Sequence, residues 1–180
     1  ITVGGSYENC SNIRFDYSAG FEKIVRHVLV DHGIRNFQLM AGIKGNEFSD
    51  ERIEVVRKVA DELDIPFSDE DISYGEYWSV PTERAMEALF TKRRRLPQAI
   101  ICVNDTMAIT VINMLKSRGY KIPQDIMVTG FDGISDVNYC DPRITTCLCS
   151  SEQLAESVAN TANDLINGKE IQEYKLVIPT

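Results

Sequence analysis

Apolar residues along the chain fall into two alternating patterns. Runs 37–41, 99–103 and 126–130 are short and almost wholly apolar, as expected of strands covered on both faces. Between such runs, apolar residues recur at three- and four-residue spacing, which predicts amphipathic helices. Phe21, Ile24, Val25, Val28 and Leu29 mark a helix over 18–31, and Ile53, Val56, Ala60 and Leu63 mark the next. Ala108, Val111, Ile112 and Leu115 form a third face, and Leu154, Val158, Ala162 and Leu165 a fourth. Shorter strands are expected at 13–15 and 71–74, with further ones at 144–148 and 175–178.

Punctuation supports these boundaries. Ser49 or Asp50, Asp105, and Ser150 with Gln153 are candidate N-caps, because their side chains can accept a free N–H of the first turn. Gly33, Pro66, Gly119 and Gly168 stand where helices should stop, and Pro81 suits the first turn of a helix reaching Thr91. The run 96–132 reads as strand, helix and strand, a βαβ unit with parallel strands. The alternation along the chain predicts an α/β fold, a mainly parallel sheet with helices on both faces.

In such sheets, ligands bind outside the carboxyl ends of the strands. Asp16, Asn104 and Asp132 each follow a predicted strand and so are candidate ligand-binding groups. Asp16 has a plainer reading as a turn or cap residue. For Asp105, capping is the better reading. Arg52 falls in the predicted first turn of its helix, where the dipole disfavours a cation, so a ligand or a nearby carboxylate should compensate. Trp78, the one tryptophan, lies in a polar loop, where a large ring either stacks on a ligand or anchors the loop.

Composition narrows the classes. The 180 residues carry a formal net charge of −8, which argues against docking on DNA or an acidic membrane through this segment. No apolar run is long enough to span a bilayer. The five cysteines are odd in number, and Cys102 falls in a predicted buried strand, which suits reduced thiols and a cytoplasmic setting. Cys147 and Cys149 lack the partners of a metal site, so no metal is expected. His27 and His32 read as surface residues, and Lys92–Arg95 as a solvated helix end. No nucleophile, phosphate-binding or dinucleotide motif is present, so neither an enzyme activity nor a cofactor is expected.

One set of residues also carries a resemblance: Asn104-Asp105 with Met107-Ala108, the Gly119 to Pro123 spacing, Gly130-Phe131-Asp132, and Pro142 with Thr145-Thr146. Together they resemble the ligand-binding domain of lactose-repressor-type regulators, itself similar to periplasmic sugar-binding proteins. The resemblance implies a two-lobe sensor that binds a small polar molecule, sugar- or nucleoside-like, in a cleft. It implies ligand contacts for Asp16, Arg52, Trp78, Asn104 and Asp132. It also implies a homodimer, no membrane, and DNA contact only through a helix-turn-helix absent from this chain. On this reading 1–11 end a first-lobe strand, 12–132 form the second lobe, and 133–180 cross back with a helix and a last strand. The chain is then expected to be a fragment, with most of the first lobe upstream. Asp31-His32-Gly33 and Gly133 depart from the common repressor pattern and resemble sensors fused to diguanylate cyclases of the GGDEF type. A periplasmic binding protein is a further alternative.

Overall fold

A computed structural model describes residues 1–5, 7–92, 95–169, 174–177 and 179–180. Two parallel sheets organise the chain. The larger has four strands: β3 (Phe37–Ala41), β4 (Ile72–Tyr74), β5 (Ala99–Cys102) and β6 (Met127–Thr129), in the order β4-β3-β5-β6. The smaller holds β1 (Thr2–Val3), β2 (Asn12–Phe15) and β7 (Tyr174–Val177), in the order β1-β2-β7. The parallel α/β architecture is as the sequence predicts.

The central strands are the most apolar because both of their faces are covered. Every residue of β3 and β5 is buried, with Phe37 opposite Ala99 and Leu39 opposite Ile101. Helix α1 (Tyr17–Arg26) packs on α2 (Glu47–Glu62), and α3 (Ser79–Lys92) packs on α4 (Asp105–Ser117). Their apolar faces join Leu39, Ile100 and Ile101 in one large core. Helix α5 (Ser151–Ile166) lies against β2 and β7. There Leu154 and Val158 cover a separate small cluster of Ile13, Phe15 and Val177.

Several boundaries differ from the sequence reading. Strand β2, placed in the second lobe by the sequence reading, pairs with β1 and β7, and the four-stranded sheet begins at β3. An edge between two sheets is decided by long-range pairing, which no local pattern encodes. The first helix is α-helical only to Arg26, and His27–Asp31 continue it as a π-helical turn. Helix α2 begins at Glu47 after Asn46, earlier than Ser49, so Arg52 sits in its second turn rather than its first. Helix α3 begins at Ser79, two residues before Pro81. The expected strand at 144–148 is reduced to isolated bridges, Thr129 with Thr145 and Asp132 with Leu148. Of the last predicted strand, Ile178 lies outside the described residues, as do Arg93 and Arg94 of the basic run.

Gly133, one of the departures from the repressor pattern, has a local cause. Its φ is +69°, and a Cβ there would stand 2.7 Å from the Leu148 backbone. Only glycine meets both demands without strain. Among the described residues, no helix is long and apolar enough to cross a membrane.

Candidate functional site

The chain passes between the two sheets at Asp16–Tyr17 and again after β6, where Asp132 leads into the returning segment. At this junction five side chains, Tyr17, Phe48, Arg52, Tyr77 and Asp132, line a cavity of about 210 Å³. It lies at the carboxyl ends of the large sheet's strands, where the sequence reading places a site.

Arg52 is 5% exposed. Its guanidinium carbon lies 5.1 Å from the Tyr17 ring centroid and 5.0 Å from that of Phe131, within cation–π range of both. Nη1 donates to the Phe48 carbonyl oxygen over 3.3 Å, one turn back along α2. Nε is buried without a hydrogen-bond partner. A buried donor left unpaired costs free energy, so Nε is the one atom of this guanidinium whose burial is uncompensated.

Asp132 is fixed by its backbone. Its N–H donates to the Cys147 carbonyl oxygen over 3.0 Å, and its own carbonyl accepts from the Cys149 N–H over 3.0 Å. Its φ of +104° is rare for a residue other than glycine, and these two bonds hold it there. Burial pushes its carboxyl up to about 6; Arg52 opposes that rise and Asp105 adds to it. No ion pair within 4.0 Å joins Arg52 to Asp132, so the two present opposite charges to one space without satisfying each other. Burial raises the Tyr17 and Tyr77 phenols as well.

The remaining candidates take other places. The Asn104 side chain caps α4, accepting from the Met107 N–H over 2.9 Å, and its Nδ2 donates to the Tyr77 carbonyl over 3.1 Å. It therefore stands behind the cavity and shapes its wall. Capping had been expected of Asp105. Asp105 is instead wholly buried inside the fold, accepting from Thr146 Oγ1 over 2.7 Å and from the Ile134 N–H over 2.9 Å. Asp16 caps α1 through the Ala19 N–H over 2.9 Å and does not line the cavity. Trp78 is 68% exposed and also lies outside that lining.

In two cases the residue facing the cavity is the next neighbour of the one singled out: Tyr17 beside Asp16, and Tyr77 beside Trp78. Neither pair lies in a strand: Tyr17 opens α1 directly after its cap Asp16, and Tyr77 sits in a turn with a φ of +67°, so the local turn decides which of two neighbours faces the cavity. Phe48 had no signal beyond its polar loop. The signal that could have found Tyr17 and Tyr77 is an aromatic residue at each strand-to-helix junction.

A larger surface depression of about 510 Å³ beside α2 is lined by Arg57 and Lys58, among others. Those cations are already paired, with Asp69 and Glu22 respectively. The smaller cavity therefore has the stronger claim. All five cysteines are free, and burial pushes the Cys149 thiol near Asp132 up to about 12, so it stays protonated. No group of three or more His, Cys, Asp or Glu among the described residues could hold a metal ion. The lining can donate hydrogen bonds, accept them and stack on a ring; it holds no activated nucleophile.

Fold and cavity together define a ligand-binding α/β domain. The chain belongs to the family described as the periplasmic binding protein-like domain, whose profile matches residues 26–180. It is 29% identical over 167 residues to the probable HTH-type transcriptional repressor ExuR of Bacillus subtilis (strain 168), covering 93% of this chain and 50% of that protein. Its fold matches a LacI-family regulatory protein from Chloroflexus aggregans with a TM-score of 0.86 at 22% identity, over 99% of this chain and 65% of the other. It also matches the transcriptional regulator CelR in complex with cellobiose, with a TM-score of 0.83 at 20% identity, over 98% of this chain and 54% of the other. The chain thus spans about half the length of that curated relative.

Proposed function

We propose that this chain is the effector-binding part of a lactose-repressor-type transcriptional regulator, and that it takes a small polar, sugar-like ligand. The observation that carries this reading is Arg52. Its guanidinium is buried against two aromatic rings, with Nε unpaired, and it shares a cavity with a carboxyl that is not bonded to it. A polyhydroxylated ring fits that arrangement. Its hydroxyls accept from arginine and donate to carboxylate, and its apolar face stacks on Tyr17 or Tyr77. The kinship with a repressor supports the regulatory role, and the fold shared with a cellobiose-bound regulator supports the ligand class.

The cavity of about 210 Å³ is smaller than the roughly 300–1,000 Å³ of most ligand pockets, which fits one wall of a two-lobed cleft. Closure over a ligand would change how the lobes sit and so bias an attached DNA-binding unit acting in a homodimer. The test is a thermal-shift screen of the full-length regulator against mono- and disaccharides and nucleosides. A ligand at 100 times its Kd should add about 2.7 kcal/mol of stability. Arg52→Met and Asp132→Asn should each abolish the shift while keeping the fold. A hit whose affinity neither variant changes would overturn this assignment of the site.

A further inference from the structure

At the far end of α1 from the cavity, His27 and His32 meet edge to face. Their ring centroids are 4.6 Å apart and their planes stand at 88°. The two Nε2 atoms are 3.2 Å apart. On the other side of the His27 ring, Nδ1 lies 3.1 Å from Asp31 Oδ2. His27 is partly exposed and His32 exposed, so both face solvent.

From this geometry we infer a surface site for a divalent transition-metal ion such as Zn²⁺, with Nε2 of His27 and Nε2 of His32 as its protein ligands. Zinc–nitrogen bonds are about 2.0–2.1 Å, so two nitrogens in one tetrahedral shell stand roughly 3.3 Å apart. The observed 3.2 Å matches that chord. Rotation of the exposed rings brings both lone pairs onto one ion. A proton on His27 Nδ1 would donate to Asp31 Oδ2, which leaves the ring's lone pair on Nε2. A carboxylate behind a ligating imidazole orients and strengthens the ligand in this way. Two imidazoles suit zinc, nickel or copper rather than magnesium or calcium. Among the described residues no third His, Cys, Asp or Glu completes the shell, so the remaining positions would fall to water.

The backbone supplies an independent reason for the pairing. In an α-helix, positions five apart lie about 140° apart around the axis and their side chains do not meet. Here the His32 N–H donates to the His27 carbonyl over 3.2 Å, the five-residue bond of a π turn, and residues 27–31 are wound that way. The widened turn puts the two rings on one side. π turns are costly departures from the α-helix and often occur at functional sites.

The experiment is calorimetric titration of the chelator-treated protein with Zn²⁺. One saturable equivalent is expected, accompanied by movement of the Nε2 ¹⁵N resonances of both histidines. His27→Ala and His32→Ala should each weaken uptake at least tenfold. Asp31→Asn, which keeps both ligands, should weaken it about tenfold. All three should leave small-molecule binding at the cavity unchanged. If the His27→Ala/His32→Ala double variant takes up zinc as well as the parent, the ion sits elsewhere, on thiols or carboxylates, and the assignment fails. It fails equally if the parent shows no saturable uptake.

Discussion

Asn104 donates its side-chain amide to the Tyr77 carbonyl oxygen over 3.1 Å, while its side-chain oxygen accepts the Met107 N–H at the start of α4. One residue thus starts a helix and holds a cavity-lining loop. That loop needs holding, because Glu76 and Tyr77 have φ of 52° and 67°, values bulky residues rarely adopt. Asn104→Asp keeps the cap and removes the donor; Asn104→Ala removes both. Asp should therefore weaken ligand binding with little change in stability. Ala should do the same and also cost about 1 kcal/mol of unfolding free energy, the usual worth of a cap. Urea denaturation and ligand titration, run side by side on both variants, separate the two roles.

Asp105 is the internal tie between α4 and the returning segment. Removing its carboxylate strands the Thr146 hydroxyl and the Ile134 N–H, which it accepts. Asp105→Ala should lower stability by roughly 1–3 kcal/mol for each group left unpaired in the interior. Thr146→Val removes one donor and leaves the carboxylate its backbone bonds, so it should cost less. Denaturation midpoints at constant m-value check the order.

The Asp132 carboxyl titrates at about 6 in the folded chain, above its ordinary 3.8. The folded state therefore binds more protons than the unfolded state between about pH 4 and 6, and stability contributed by this group falls as pH rises through that window. Above it the penalty is constant, on the order of 3 kcal/mol. Asp132→Asn escapes the penalty, and Asn tolerates the positive φ. The variant should match the parent near pH 4 and exceed it in stability at pH 7. A parent–variant difference that stays flat from pH 4 to 7 would refute the raised carboxyl.

The two sheets should open independently. The large sheet rests on an extensive core, whereas among the described residues β2 and β7 share a small cluster of Ile13, Phe15 and Val177, covered in part by Leu154 and Val158. Local opening costs less where fewer apolar contacts are lost. Amides of β2 should exchange with deuterium well before those of β3 and β5. Leu154→Ala should speed exchange in β2 and leave β5 protected. Equal protection in both sheets would mean that they unfold as one unit.

The sequence by itself determined the α/β class, the large core and the rim on which a ligand site would lie. These follow from local pattern: a short, β-branched apolar run such as 99–103 suits a buried strand, and the spacing of Ala108, Val111, Ile112 and Leu115 suits a helix face. It also singled out Arg52 and Asp132, which the tertiary structure brings to one cavity. Only the tertiary structure decided which sheet β2 joins, because pairing across the chain has no local signature. Only it decided that Tyr17 and Tyr77 face the cavity while Asp16 and Trp78 do not, because the turn at each junction, with Tyr77 at a φ of +67°, sets which neighbour points inward. Asp105 looked like a cap because its place beside a helix start is visible in the sequence, whereas its partner Thr146, 41 residues away, is not. The meeting of His27 and His32 depends on a π turn, whose one extra residue per hydrogen bond leaves no mark in the apolar pattern that predicts the helix.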